Sequence, residues 1–314
     1  MPTGEVVSQH VMNGHVQIYR AEPATVARSE HAEGPCWDAR TGQLLWVDQY
    51  AGLVILADYD GDTRRLTPVR TYSLGHPVGA VVPASDGGWM TAVRHGFAQL
   101  GLDGAITWLA QPEDGSAVRM RMNDGKCDAA GRFWAGSMAF DKLPGAGSLY
   151  RLDPDLQLTT VLRGPTISNG LAWSADGTTM FYIDTPTRRI DRFTVTPDGE
   201  LAARTTAVSI PPGAGEPDGM CIDDDGALWV ALWGGAAVHR YAPTGELLAI
   251  VEIDAPQVSS CCFGGPDGRT LFVTTSQEGF GAAERAAHPE SGKLFCVQVD
   301  VSGRPAAAFG SSPG

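Results

Sequence analysis

The chain has 314 residues, 43% of them hydrophobic, and a formal net charge of −13. That much apolar material can bury a large core, and the acidic balance excludes a nucleic-acid partner, which needs a positive footprint. No run of eighteen apolar residues occurs, which excludes a membrane-spanning helix.

Met1-Pro2-Thr3-Gly4-Glu5 opens polar and acidic with no apolar stretch behind it, so no secretory leader is expected. The six cysteines (Cys36, Cys127, Cys221, Cys261, Cys262 and Cys296) form no Cys-x-x-Cys pair. They read as buried free thiols of a cytoplasmic protein.

From Val16 onward, helical periodicity is almost absent. Short Val-, Leu- and aromatic-rich runs alternate with Gly, Pro and Asp turns, the pattern of an all-β chain. Val16–Arg20 reads as a strand ahead of a repeat. Six turns then follow, with their glycines at Gly42, Gly87, Gly131, Gly177, Gly226 and Gly268, spaced by 45, 44, 46, 49 and 42 residues. Turns of this kind join adjacent antiparallel strands, glycine supplying the positive φ. Each leads into a second strand: Leu44–Val47, Trp89–Ala92, Phe133–Ala135, Met180–Ile183, Leu228–Val230 and Leu271–Val273. A third strand often follows, as in Leu149–Leu152 and Val238–Tyr241. A period near 45 residues with three or four strands per unit marks a propeller blade. The expected fold is therefore a single six-bladed β-propeller domain over 1–314. Its four-stranded antiparallel blades surround a central channel, and Val16–Arg20 closes the ring against a last strand near Lys293–Val299. Two stacked β-sandwiches are the alternative, and they would not repeat at a fixed period.

The first strand of every blade lines the channel. Counting back eight or nine residues from the turn glycines reaches Glu33, Val78 and Gly79, Asn123, Asn169, Asp218, and Ser259 and Ser260. Four of the six positions carry an oxygen donor. Two carboxylates forced together repel unless a cation lies between them. A donor set made only of oxygens suits Ca²⁺, Mg²⁺ or Mn²⁺ and leaves room for water or substrate. Taken singly, each of the four is an ordinary turn residue; their shared phase is the signal.

The strings Glu33-Gly34-Pro35, Arg121-Met122-Asn123-Asp124-Gly125-Lys126, Ser168-Asn169-Gly170-Leu171-Ala172-Trp173-Ser174 and Pro217-Asp218-Gly219 resemble those of the gluconolactonase/regucalcin (senescence marker protein-like) family. The resemblance implies a six-bladed propeller with one divalent metal ion, whose identity among Ca²⁺, Mg²⁺, Mn²⁺, Zn²⁺ and Fe²⁺ stays open. It implies a hydrolase that opens an aldonolactone, a small-molecule sugar lactone, and works as a monomer or small homo-oligomer. Glu33, Asn169 and Asp218 correspond to metal ligands, and Asn123 to a fourth ligand or a substrate contact. Asp218 corresponds to the general base and Arg121 to a substrate-binding arginine, with Asp124 beside it grouped among the substrate contacts. Relatives that cleave organophosphates keep a promiscuous lactonase or phosphotriesterase open, and a non-enzymatic metal-binding propeller is the other alternative. Phe140 and Asp141 stand where some members carry an acidic substrate contact, so sugar specificity does not carry over.

Lys126 reads as a structural ion partner. His31 and His76 fall near the expected mouth, and the eight tryptophans read as packing between blades. Ala135–Ala139 is no Gly-x-Ser-x-Gly elbow. Asp223-Asp224-Asp225-Gly226 lacks the spacing of a calcium loop and reads as a hairpin.

Overall fold

The computed structural model describes residues 16–311; the polar opening Met1–Glu5 lies outside them. Six antiparallel sheets form a ring, a six-bladed β-propeller. The inner strands are Ala32–Asp38, Val78–Pro83, Met120–Cys127, Ser168–Trp173, Glu216–Ile222 and Val258–Gly264. Each packs against the inner strands of the blades on either side. The turn glycines adopt positive φ, from 67° at Gly268 to 103° at Gly87, so each hairpin turns where the repeat expects it.

All six inner strands share one irregularity. Their register against the second strand slips after Glu33, Val78, Met122, Ser168, Pro217 and Val258. A bulge re-aims side chains and bends the strand, and here it swings one residue per blade toward the axis. Neighbouring strands come very close at these points. A Cβ on Gly79 would overlap the Asn123 carbonyl, and one on Gly170 would stand 2.7 Å from the Asp218 carbonyl oxygen.

The ring closes differently from the expectation. Gln17–Arg20 does not complete the last blade. It adds a fifth strand, in parallel, to the outer strand Leu247–Glu252 of blade five, anchored by an Arg20–Glu252 ion pair of 2.7 Å. Closure falls to Glu22–Pro23, which pairs antiparallel with Phe295–Gln298 of blade six. Pro23 has no N–H to add to that ladder, and just beyond it the Ala24 N–H donates to the Leu294 carbonyl at 2.7 Å.

Apolar side chains between adjacent blades form the core, with Trp134, Trp229, Phe133 and Phe272 fully buried. All six cysteines are buried and free. Among the described residues no helix is long and apolar enough to cross a membrane; one α-helix, Ala282–Ala287, lies on the blade-six loop. The acidic run at Asp223 is a hairpin, as expected. The Asp223 carboxylate is buried and accepts from the Ala227 N–H (2.8 Å), the Trp229 indole (2.9 Å) and Arg240 (2.7 Å). It thereby ties three strands of blade five together.

Asp223→Ala leaves the Trp229 indole N–H and the Arg240 Nε without their acceptor, with Asp225 as the remaining partner of Arg240, and is expected to cost about 3 kcal/mol. Thermal or denaturant unfolding checks this; a loss of under about 0.5 kcal/mol, typical of a surface substitution, would contradict it.

Candidate active site and metal centre

The bulged starts of the inner strands converge on one mouth of the channel. Glu33, Arg121, Asn123, Asn169 and Asp218 are all buried and line one small pocket of about 60 Å³. Asn123 Nδ2 donates to Asn169 Oδ1 (2.7 Å) and to the Ser168 carbonyl (3.0 Å). The Arg121 guanidinium donates to Asn123 Oδ1 at 2.5 Å and to the Tyr50 hydroxyl at 3.3 Å. It also lies 5.3 Å from the Tyr50 ring centroid and 5.9 Å from that of Phe140, an aromatic clamp on a permanent cation.

The electrostatics turn on the carboxylates. Burial and the nearby Asp124 charge lift Glu33 to a pKa of about 8. Burial, together with the charges of Glu33, Asp124 and Glu278, holds Asp218 well above its ordinary range. Among the described residues no hydrogen bond to the Asp218 carboxylate offsets this. Two crowded carboxylates and an amide oxygen, without a neutralising lysine between them, form a donor set that fits a hard divalent cation. Only two of the groups are acids. Accordingly, among the described residues there is no cluster of three or more His, Cys, Asp or Glu side chains suited to a metal.

Asp124 departs from the expected grouping. It does not line the mouth but faces a second cavity of about 150 Å³ at the other end of the channel, with Lys126, Trp37 and Phe263. The register slip between Met122 and Gly125 explains this, because it sends Asn123 and Asp124 to opposite ends of the channel. Lys126 crosses the axis and donates to the Met220 carbonyl at 2.7 Å, and its charge partly offsets the rise that burial imposes on Asp124. Ser259, at the blade-six position, donates to the Ala32 carbonyl (2.6 Å), and its oxygen lies 2.9 Å from the Thr274 hydroxyl.

The mouth holds residues that the repeat count passed over: Thr185, Trp233, Glu278 and Lys142 line it, and Tyr50 donates to Glu278 at 2.8 Å. All follow second strands, which run back to the mouth where the first strands begin. Trp233 corrects the reading of the tryptophans as packing alone. His31 lines the pocket between the Tyr50 and Trp233 rings. Burial, with the charges of Arg121 and Lys142, pulls it down to about 3, so it is neutral at physiological pH. His76 packs on Trp108 away from the pocket. Phe140 takes the Arg119 guanidinium 4.1 Å from its ring centroid, and Asp141 is exposed.

A family profile described as the SMP-30/Gluconolactonase/LRE-like region matches residues 31–277, from His31 through Gln277. The chain belongs to the SMP-30/gluconolactonase/LRE-like family. Among its relatives, a putative sugar lactone lactonase of Bacillus subtilis is 34% identical over 279 residues, covering 88% of this chain and 94% of the relative. Regucalcin of Danio rerio is 36% identical over 284 residues, with the same two coverages. The solved structure of an Agrobacterium tumefaciens regucalcin, titled a calcium-binding protein, superposes with a TM-score of 0.86 at 25% identity. It covers 94% of this chain and 99% of that one. The matched region runs from the first inner strand of the SMP-30-like propeller to the loop that carries Glu278.

Glu33 binds its proton more tightly in the folded protein than in the unfolded chain. Its contribution to stability is therefore complete below the ordinary glutamate range and is lost as the pH rises through about 8. In chelator-treated protein the unfolding midpoint is expected to fall across that window, and Glu33→Gln should flatten the fall. A midpoint that climbs there would show that Glu33 is not held neutral.

Proposed function

We propose that this protein hydrolyses a small sugar lactone at the mouth of the channel, with one divalent cation held by Glu33, Asn169 and Asp218. The observation that carries the reading is the pairing of Glu33 and Asp218, buried together in a pocket that Arg121 also lines. Membership of a family that includes a putative sugar lactone lactonase supports it.

When bound, the cation supplies Lewis acidity toward the lactone carbonyl. The rest is work for the chain. Asp218, ionised when it stands beside the cation, is placed to take a proton from the attacking water. The water oxygen bonds to the carbonyl carbon, the ring C–O bond breaks, and the proton passes from Asp218 to the departing ring oxygen. Arg121, clamped by aromatic rings, donates to ring hydroxyls or to the developing oxyanion. Neutral His31, Trp233 and Met138 wall the pocket and exclude bulk water. Glu278 supplies an acceptor for a sugar hydroxyl.

A second reading, a calcium-binding propeller without turnover, draws on the calcium-binding title of the Agrobacterium tumefaciens relative. One experiment separates the two. Chelator-treated protein is assayed by acid release against aldono-1,4- and 1,5-lactones and a paraoxon-type ester, with Ca²⁺, Mg²⁺, Mn²⁺, Zn²⁺ or Fe²⁺ restored in turn. Cation-restored turnover of one lactone is expected, and Asp218→Asn should lower it about 10²–10⁴-fold. Cleavage of the ester alone would point to a phosphotriesterase, and cation binding without any turnover to the binding propeller.

A further inference from the structure

The hydrogen bonds around the mouth have a single direction. Arg121 can only donate, and a backbone carbonyl can only accept. Between these two fixed ends runs a chain of side chains. Arg121 donates to Asn123 Oδ1 (2.5 Å), Asn123 Nδ2 to Asn169 Oδ1 (2.7 Å), Asn169 Nδ2 to Thr185 Oγ1 (2.8 Å), and the Thr185 hydroxyl to the Pro217 carbonyl (2.8 Å). The two ends settle every amide orientation between them, which bond geometry at one residue alone would leave open.

Two consequences follow. Asn123 has no hydrogen-bonding capacity left over. Its oxygen accepts from Arg121 and, at 3.5 Å, from Gln49, while its nitrogen serves the Ser168 carbonyl and Asn169. It is a joint between Arg121 and Asn169, not a fourth ligand. Thr185, for its part, must offer a lone pair to Asn169, because its own proton goes to Pro217. The N–H side of the Asn169 amide therefore faces Thr185, and its oxygen faces Asn123.

We infer that Thr185 is a positioning residue for the cation site: its hydroxyl holds the N–H side of the Asn169 amide, which leaves the amide oxygen as the group offered to the pocket shared with Glu33 and Asp218. The inference rests on the proposed cation site. Thr185 is buried, and its backbone is pinned where its N–H donates to the Ile167 carbonyl (3.2 Å), so the lock is rigid. Without the hydroxyl, Asn169 Nδ2 loses its acceptor and the amide keeps only the bond from Asn123 to hold its orientation.

The test is calorimetric titration of chelator-treated protein with Ca²⁺ and with Mn²⁺, independent of any substrate. Thr185→Val, close to isosteric, and Thr185→Ala should each weaken binding about 10–100-fold, the usual effect of losing a partner behind a ligand. Thr185→Ser, which restores the hydroxyl, should bind within about twofold of the parent. Tyr50→Phe, at the other end of Arg121, should leave cation affinity within about twofold while raising KM. The inference is overturned if both Val and Ala variants bind like the parent, or if Ser falls as far as Val, which would make the effect one of packing. If the parent protein itself binds neither cation, the cation site is what fails, and that outcome is separate from the other two.

Discussion

Two acids that cannot both be charged at close quarters organise this molecule's mouth. Glu33 and Asp218 come from blades one and five and are taken out of water, and burial raises the hold of each on a proton, with the Glu33 charge adding to that of Asp218. Proximity of this kind is costly in a protein interior, and the ring geometry is what imposes it. Six inner strands share an axis, each bulges at the same level, and whatever residue occupies the bulge is delivered to the same small space. Arg121 and the two amides then become intelligible as responses to that crowding. The cation the site would accept is the one component that turns the repulsion into attraction.

Much of this was legible in the chain because a propeller repeats. The turn glycines marked the blades, and the strand starts counted back from them were the residues that meet. The same geometry held a second signal that was not used. Antiparallel strands return to the level from which they set out, so the end of each second strand faces the same mouth. Tyr50 and Thr185 each stand eight residues after their turn glycine, and Trp233 seven after its own; the loop beyond the blade-six second strand brings Glu278.

Other misreadings had local causes. Asp124 sits next to Asn123 in sequence, yet the intervening bulge sends it to the opposite end of the channel. A count along the chain cannot show that, because a one-residue slip reverses the face a side chain takes. The strand at Gln17–Arg20 has the length and composition of a closing strand, and nothing in its own residues tells the edge of blade five from that of blade six. Directionality in the hydrogen bonds was beyond the sequence altogether. It depends on which carbonyl lies within reach of Thr185, and that carbonyl, at Pro217, comes from another blade.

The two-residue seam at Glu22–Pro23 has a bearing on how the protein comes into being. During synthesis, blades one to five can each pair their own strands as they leave the ribosome, since every partner is near in sequence. Blade six cannot. Its third strand, Phe295–Gln298, is made long after Glu22–Pro23, and its edge stays open until those residues return to cover it. Long-range pairing of this sort is slow and exposes an unpaired strand edge while it waits. Assembly of the ring thus waits for that pairing, and the nearly finished propeller is most open to pairing with a neighbouring copy just before the seam forms.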